Sequence, residues 1–561
     1  MAREQYVGAI DQGTTGTRFV VFGRDGRAVE SAYTTHEQRY PRPGWVEHDP
    51  AELWANTKTV TTRALDAAGI EAEQLAALGL TNQRETTLLW DAETGAPLHD
   101  AIVWQDRRTT DRVEELDAAG KSGEIRATTG LQVDAYFSAT KAEWLLDNAG
   151  ESTGSDDTTG RDGTTRHDDT TGGGDTGGND TGDDGPNALR ERAERGDALL
   201  GTVDAWLLYN LTGAHATDVT NASRTMLYDV HRGQWDPDLR AEFGVPEACL
   251  PEVCPSSDPE AYGTTDPDGF LGSAVPVTGV LGDQQAALFG QACFAPGDAK
   301  STYGTGAFVL QNTGIDAVES EHDLLTTIAF QRAGEPVQYA LEGSIFATGA
   351  AIEWLVDAGV LDAADDAEPV ARRVASTGGV FVVPAFAGLG APHWDGHARG
   401  TILGLTRETR PEHVVRATLE AIAFRTRDVA DAMAADSGVE PDGLRVDGGA
   451  IGNDLLCELL ADVLDCPVVR PAVAETTALG AAYAAGLAVG YWAGVDDCRA
   501  NRRIDRRFEP AGDRAAIERR YARWGEAVER ARGWASENGA GDGERGTGES
   551  EDGKDEGDRR T

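Results

Sequence analysis

The 561 residues include 95 acidic and 50 basic side chains, a formal net charge of −45, with 40% hydrophobic residues and six cysteines. That length allows two or more domains with sizeable cores, while the charge argues against a nucleic-acid or anionic-membrane binder. No run of 18 apolar residues offers a membrane span, and the cysteines have neither a CxxC pair nor the spacing of a disulfide framework or a zinc site.

The stretch VGAIDQGTTGTRFVVF (residues 7–22) reads as two apolar strands around a Gly-Thr-Thr-Gly turn, a β-hairpin. Gly13 and Gly16 let the turn's backbone N–H groups approach a ligand closely, and Thr14, Thr15 and Thr17 add hydroxyls. Such a turn suits a phosphate chain, with Asp11 at the strand end holding Mg²⁺ directly or through water; an ordinary surface hairpin also fits. No Walker-type GxxxxGK[ST] loop occurs here.

Farther on, Asp49 is an expected N-cap with Pro50 at the first helical position. Residues 75–90 read as strand, polar loop and strand, the loop carrying Arg84 and Glu85. A planar fork of donors beside a pair of acceptors suits vicinal hydroxyls, although taken alone such a pair is more commonly a surface ion pair. Residues 101–109 predict a strand running into a charged helix start, and residues 134–148 a helix. Residues 151–185 are nearly all Asp, Thr, Gly and Ser, with no aliphatic or aromatic residue, so a disordered surface insertion is expected. Its GGGDTGGND run lacks the large apolar residue that calcium-binding nonapeptide repeats need.

Residues 278–291 predict a strand, Gly282, and a helix opening at Asp283, which is read either as a cap or as a base toward a hydroxyl proton. A second hairpin follows at residues 300–314, again around Gly-Thr-Gly. The helix from Pro411 carries Val415, Leu419, Ile422, Val429 and Met433 on one face. In RVDGGAIGND, Gly448 and Gly449 lie between a strand and a helix, either as bare backbone under a flat ring or as a plain tight turn. The small-residue helix at 478–490 is expected to pack closely on a sheet, and Ile517, Tyr521, Trp524 and Val528 form the stripe of a last helix. Beyond residue 535 the composition predicts a disordered tail. Alternating strands and helices in two related halves predict an α/β chain of the actin, hexokinase and Hsp70-like plan.

In order, DQGTT, NQRETT, AIVWQ, YFSATK, GDQQAALFGQ, YGTG, GLGAPHWDGHARG and RVDGGA resemble the FGGY carbohydrate-kinase family. The resemblance runs from about residue 6 to residue 534, the 151–185 insertion apart. The blocks PGWVEHDP, TNQRETT, TNASRTML and GDQQAALFGQ are similar to its glycerol-phosphorylating members. It implies two actin/hexokinase/Hsp70-like (RNase H-like) domains with the active site in the cleft between them. Residues 1–290 would form the glycerol and phosphate side, residues 291–534 the nucleotide side, and residues 535–561 the tail.

The implied reaction moves the γ-phosphoryl of Mg²⁺-bound ATP to glycerol, giving sn-glycerol 3-phosphate. By the same resemblance Arg84, Glu85, Tyr136, Asp283 and Gln284 hold the hydroxyls, Trp104 and Phe308 wall the carbon chain, and Asp283 is also the base. Asp11 organises Mg²⁺. Thr14, Thr15, Gly16, Arg18 and Thr305 lie along the phosphates, and Gly349, Glu353, Gly449 and Asn453 around the adenosine. A cytoplasmic homodimer or homotetramer is implied.

Three places depart from the family pattern. Gly16 stands where many members have serine, Glu353 stands where glutamine is usual, and residues 266–276 lack the Gly-rich, Arg-containing loop that binds a sugar bisphosphate in some members. The alternatives are a kinase for a pentulose or other polyol, a non-catalytic ATP-binding switch, and an inactive scaffold whose acidic insertion binds a partner. The acidity, with only five lysines, fits a salt-rich cytosol in which the Debye length falls to about 3 Å and self-repulsion costs little.

Overall fold

The computed structural model describes residues 4–149 and 188–536. The expected insertion at 151–185 and residues 537–561 of the expected tail lie outside the described residues. Two sheets of one plan organise the rest. In the first, β1 (Tyr6–Gln12) runs antiparallel to β2 (Gly16–Phe22), and β2 antiparallel to β3 (Ala28–Thr35). On its other side β1 runs parallel to β4 (Leu75–Asn82), and β4 parallel to β5 (Val277–Gly282). The order is therefore β3-β2-β1-β4-β5.

The second sheet repeats this with β6 (Ala299–Tyr303), β7 (Ala307–Gly314), β9 (Gln338–Ile345), β10 (Leu444–Asp447) and β11 (Val468–Pro471). Its order is β9-β7-β6-β10-β11, with β8 (Leu325–Phe330) and β12 (Ile504–Phe508) on the outer edges. Each sheet has three antiparallel strands followed by two parallel ones. Parallel neighbours require crossovers. In the first sheet α1 (Pro50–Ala68) supplies one, opened by Asp49, whose carboxylate accepts the Ala51 N–H, with Pro50 in its first turn.

Between the sheets lie α3 (Asp283–Gly290) and α7 (Thr476–Ala488), and small residues set their spacing. A Cβ on Gly480 would sit 1.8 Å from the Ala286 carbonyl oxygen, and one on Gly79 of β4 would sit 2.3 Å from that of Ala481. The small-residue helix expected to lie on a sheet therefore lies on the first sheet, although it comes from the last part of the chain. One apolar cluster joins Val7, Ala9 and Val20 to Leu310 and Ala340 through these two helices. The two sheets share a core.

Helix α5 (Pro411–Ser437) buries Val415, Leu419, Ile422, Val429 and Met433 and ends on Gly438 in the left-handed region. Helix α8 (Arg514–Ala531) buries Ile517, Trp524 and Val528, with Tyr521 partly buried against the same core. The strand expected within residues 101–109 shrinks to Ala101–Ile102 in a small four-stranded sheet beside Thr87–Asp91. Residues 83–86 are thus a corner where the chain leaves one sheet for another.

Candidate active site

That corner is tightly determined. Glu85 has φ 62°, a left-handed conformation that costs a non-glycine residue about 1–2 kcal/mol. Its carbonyl accepts hydrogen bonds from Thr87 Oγ1 at 2.9 Å and Ser138 Oγ at 3.0 Å, which hold it there. Ser138 opens α2 (Ser138–Asn148). The Lys141 ammonium of the same helix donates to the carbonyls of Ala135, Tyr136 and Phe137, fixing the loop that carries Tyr136. Burial lowers the Lys141 pKa to about 7.

Arg84 and Glu85 were expected side by side, either as a hydroxyl-binding pair or as a surface ion pair. Both are buried, and their main partners are other residues. Arg84 Nη1 and Nη2 donate to the two oxygens of Glu342 on β9, at 2.6 and 2.9 Å, while Glu85 Oε1 accepts from Arg224 Nε at 2.7 Å. The Arg84–Glu85 separation is 3.9 Å. The guanidinium fork therefore faces Glu342, leaving Arg84 Nε 3.2 Å from Asp283 Oδ1. Glu342 and Arg224 went unassigned in the sequence, and so did Lys300 of β6, whose ammonium donates to Gln284 Oε1 at 2.5 Å.

Asp283 is the first residue of α3, and Gly282 is the cap; the cap reading of Asp283 is corrected to that extent. A Cβ at Gly282 would lie 2.7 Å from the aliphatic stem of Arg84, so only glycine lets that stem pass beneath the helix start. Burial raises the Asp283 pKa, with Arg84 and Lys300 opposing. Burial likewise raises Glu85, against Arg84 and Arg224. For Glu342 burial is outweighed by Arg224 and Arg84, and its pKa falls to about 2.

Aromatic rings surround these charges. Trp104 meets Tyr136 edge to face at 5.5 Å, and the Arg84 guanidinium lies 5.7 Å from the Phe308 ring centre. The structure thus gathers Arg84, Glu85, Asp283, Gln284 and Phe308 in one place, with the Trp104–Tyr136 pair beside them; the Arg224 guanidinium lies 5.8 Å from the Tyr136 ring. Trp104 Nε1 also donates to Thr14 Oγ1 at 2.9 Å, tying this pocket to the first hairpin turn.

In that turn the Gly13 N–H bonds the Gly16 carbonyl at 3.0 Å. Thr15 is exposed. Gly16 has no room for a side chain: a Cβ there would stand 2.5 Å from the Tyr33 hydroxyl and 2.4 Å from the Thr34 carbonyl oxygen. The glycine at this departure from the family pattern is therefore matched by Tyr33 and the Thr34 backbone together. Asp11 pairs across the ladder with Arg18, and burial raises its pKa to about 7, against Arg18 and aided by Asp283 and Glu475. No hydrogen bond reaches the Asp11 carboxylate among the described residues. Its oxygens suit a hard cation, which favours carboxylate, phosphate and water ligands. Arg18 forms an ion pair with Glu475 at 2.6 Å.

The second turn rests on α4 (Gly349–Asp357). The Gly349 N–H donates to the Gly304 carbonyl, and the Thr348 and Ala350 N–H groups to that of Thr305. These helix-start amides are therefore engaged by the turn, and Thr305 itself is exposed. Glu353 is exposed on the same helix. Gly448, at φ 94°, packs under the Tyr303 backbone, whereas Gly449 has open space above it. The Asn453 side chain accepts the Leu456 N–H and caps α6 (Asp454–Leu464), leaving its amide NH₂ free of that bond. Gly349 and Gly448–Gly449 thus flank one hairpin from two sides.

The FGGY carbohydrate-kinase models match in both parts, the N-terminal domain over residues 6–155 and 186–290 and the C-terminal domain over residues 299–489. The chain is 62% identical over 537 residues to a glycerol kinase of Haloferax volcanii, spanning 96% of this chain and 100% of that one. It is 60% identical over 539 residues to a glycerol kinase of Haloarcula marismortui, spanning 95% and 99%. The crystal structure of Plasmodium falciparum glycerol kinase with ADP matches with a TM-score of 0.83 at 34% identity, over 94% of this chain and 98% of that one. The chain belongs to the FGGY family of carbohydrate kinases, among its glycerol kinases.

Proposed function

We propose that the chain phosphorylates glycerol from ATP to give sn-glycerol 3-phosphate, with Asp283 as the base. The relatives support the reaction, and the observation that carries the assignment of the base is the 3.2 Å approach of Arg84 Nε to Asp283 in a pocket of paired charges and aromatic walls. A three-hydroxyl substrate needs each hydroxyl paired in such a pocket, and a site that pairs a hydroxyl rejects ligands lacking it by several powers of ten. Glu85, Gln284 and Tyr136 supply further acceptors and donors around the substrate, and Trp104 and Phe308 exclude water from its carbon face.

The attacking hydroxyl oxygen forms its bond to the γ-phosphorus as the bond to the β–γ bridging oxygen breaks. Its proton passes to Asp283, and ADP leaves. Asp11 is the residue that would hold Mg²⁺, which when bound would supply positive charge against the charge developing on the transferred phosphoryl group. Thr14, Thr15, the Gly16 backbone, Arg18 and Thr305 line the phosphate path; Gly349, Glu353, Gly449 and Asn453 lie along the nucleoside. Arg18 must leave Glu475, at least in part, to reach a phosphate.

The domains are those implied by the sequence, residues 1–290 and 291–534, with α7 completing the core between the sheets. The enzyme works in a salt-rich cytoplasm as a homodimer or homotetramer. ATP-dependent product formation in molar KCl, comparing glycerol with a pentulose, tests the substrate. A higher kcat/KM for glycerol is expected, and preference for the pentulose would overturn the assignment. Protonated Asp283 cannot accept the hydroxyl proton. Because burial raises its pKa, the acid limb of kcat/KM is expected above the ordinary aspartate range, and a limb at or below that range in a pH profile contradicts the role.

A further inference from the structure

The geometry points to Glu342, on β9 of the second sheet, as a positioning residue for the transfer site: one carboxylate fixes both Arg84 and Arg224, and through them Asp283 and Glu85. The inference rests on the glycerol kinase reading. Glu342 is fully buried and touches neither hairpin turn through a hydrogen bond among the described residues. Its Oε2 accepts from Arg84 Nη1 at 2.6 Å, and its Oε1 from Arg84 Nη2 at 2.9 Å and Arg224 Nη2 at 3.2 Å. With the fork so occupied, Arg84 can present only Nε to Asp283, at 3.2 Å. Arg224 in turn presents Nε to Glu85 at 2.7 Å.

In this floor Arg84, Arg224 and Lys300 face Glu85, Asp283 and Glu342, with Asp447 beside Lys300. Loss of a buried carboxylate leaves an uncompensated cation, and such a group seeks the nearest remaining anion. Here those anions are Glu85 and Asp283. Arg84 would turn from Glu342 toward the base, and a base paired more tightly with a cation holds its proton less well. The titratable and charged groups facing Asp283 are Arg84, Lys300, Glu342 and Asp11. Removing the Glu342 charge takes away one that favours protonation of Asp283, and the freed Arg84 adds to one that opposes it. Both effects move the titration downward.

Glu342 also joins the halves. Arg84, Glu85, Arg224 and Asp283 all precede the second hairpin, whereas Glu342 lies on the strand beside β7, which carries Phe308. The wall of the pocket and the aim of its charges are thereby set from one sheet.

The test is steady-state kinetics of the full chain with Glu342→Gln and Glu342→Asp in molar KCl, measured with glycerol and with ATP as the varied substrate. For E342Q a fall of about 100-fold in kcat/KM for glycerol is expected, with KM for ATP within about threefold of wild type. Its acid limb should shift to lower pH. E342D keeps the charge but draws it back by one methylene; it should recover about tenfold of the loss and restore the limb. If E342Q fails to fold by near-UV circular dichroism, E342D alone decides. A tenfold loss confined to glycerol then supports the role, and wild-type constants overturn it. Losses shared equally by glycerol and ATP with an unmoved acid limb would also overturn it. Should wild type prefer another polyol, the substrate assignment fails separately, and the same comparison is made with that polyol.

Discussion

One ladder step back from the turn, β1 and β2 set Asp11 opposite Arg18, whereas β6 and β7 set Thr302 opposite Phe308. The two hairpins have the same strand senses and the same place in their sheets, yet one presents charge and the other a hydroxyl and a ring. Their turns close alike on the last glycine: a Cβ at Gly16 would stand 2.4 Å from the Thr34 carbonyl oxygen and one at Gly306 2.5 Å from that of Ile345. The Tyr33 hydroxyl is a further contact at 2.5 Å from Gly16, whereas a Cβ at Gly304 would meet nothing closer than 3.9 Å. The backbone plan sets where a ligand can approach, and the side chains one step behind the turn decide what that ligand meets. In the proposed reading the first hairpin takes the cation and phosphates and the second walls the substrate's carbon chain, while its turn braces the start of α4.

The largest expected effect separates the hairpins by charge. Asp11→Asn should lower kcat by about 100-fold or more at saturating Mg²⁺ and ATP, because the carboxylate that would hold the cation is gone. Thr302→Val, at the matching position, should cost less than about tenfold. Equal losses in steady-state assays would erase the distinction. Next, Phe308→Ala opens the wall, and kcat/KM for glycerol should fall about 10–100-fold, the ~1–3 kcal/mol expected of an altered apolar pocket, with KM for ATP little changed. An effect mainly on ATP would move Phe308 to the nucleotide side.

The smallest effects concern stability. Gly16→Ser forces a side chain into Tyr33 and the Thr34 carbonyl and should destabilise by about 1–3 kcal/mol in denaturant unfolding, relieved only in part when Tyr33→Ala is added. Gly304→Ser should stay within about 0.5 kcal/mol. Equal destabilisation by the two serines would contradict an enclosed Gly16 and an open Gly304.

Much of this arrangement is legible in the sequence because it is local. The Gly-Thr-Thr-Gly and Gly-Thr-Gly turns, the Asp49–Pro50 helix start and the stripe from Val415 to Met433 each depend on neighbours within a few residues. The side-by-side Arg84 and Glu85 mark the right corner, but their partners lie far off. Arg84 bonds a residue 258 positions away and Glu85 one 139 positions away, and no spacing rule reaches that far. A signal was present nonetheless: Glu342 is an acid in a strand buried over its last six residues, which demands a cation from elsewhere. Lys300 is similar, one of five lysines in the chain and fully buried. The strand expected at the start of residues 101–109 is shorter because Trp104 and Gln105 leave the sheet, Trp104 to face Tyr136 and Thr14. Motif resemblance assigned Arg18 to phosphate; its pairing with Glu475 depends on α7 lying against the first sheet, which periodicity does not reveal.

The most direct test of the account is the Asp283→Asn variant, assayed for glycerol 3-phosphate beside wild type in molar KCl, with ATP and glycerol binding measured on the same samples. The account predicts wild-type turnover, a variant slowed by about 100- to 10,000-fold as expected for loss of a general base, and binding of both substrates within about tenfold. A variant that binds both substrates and turns over at a rate close to wild type would contradict Asp283 as the base.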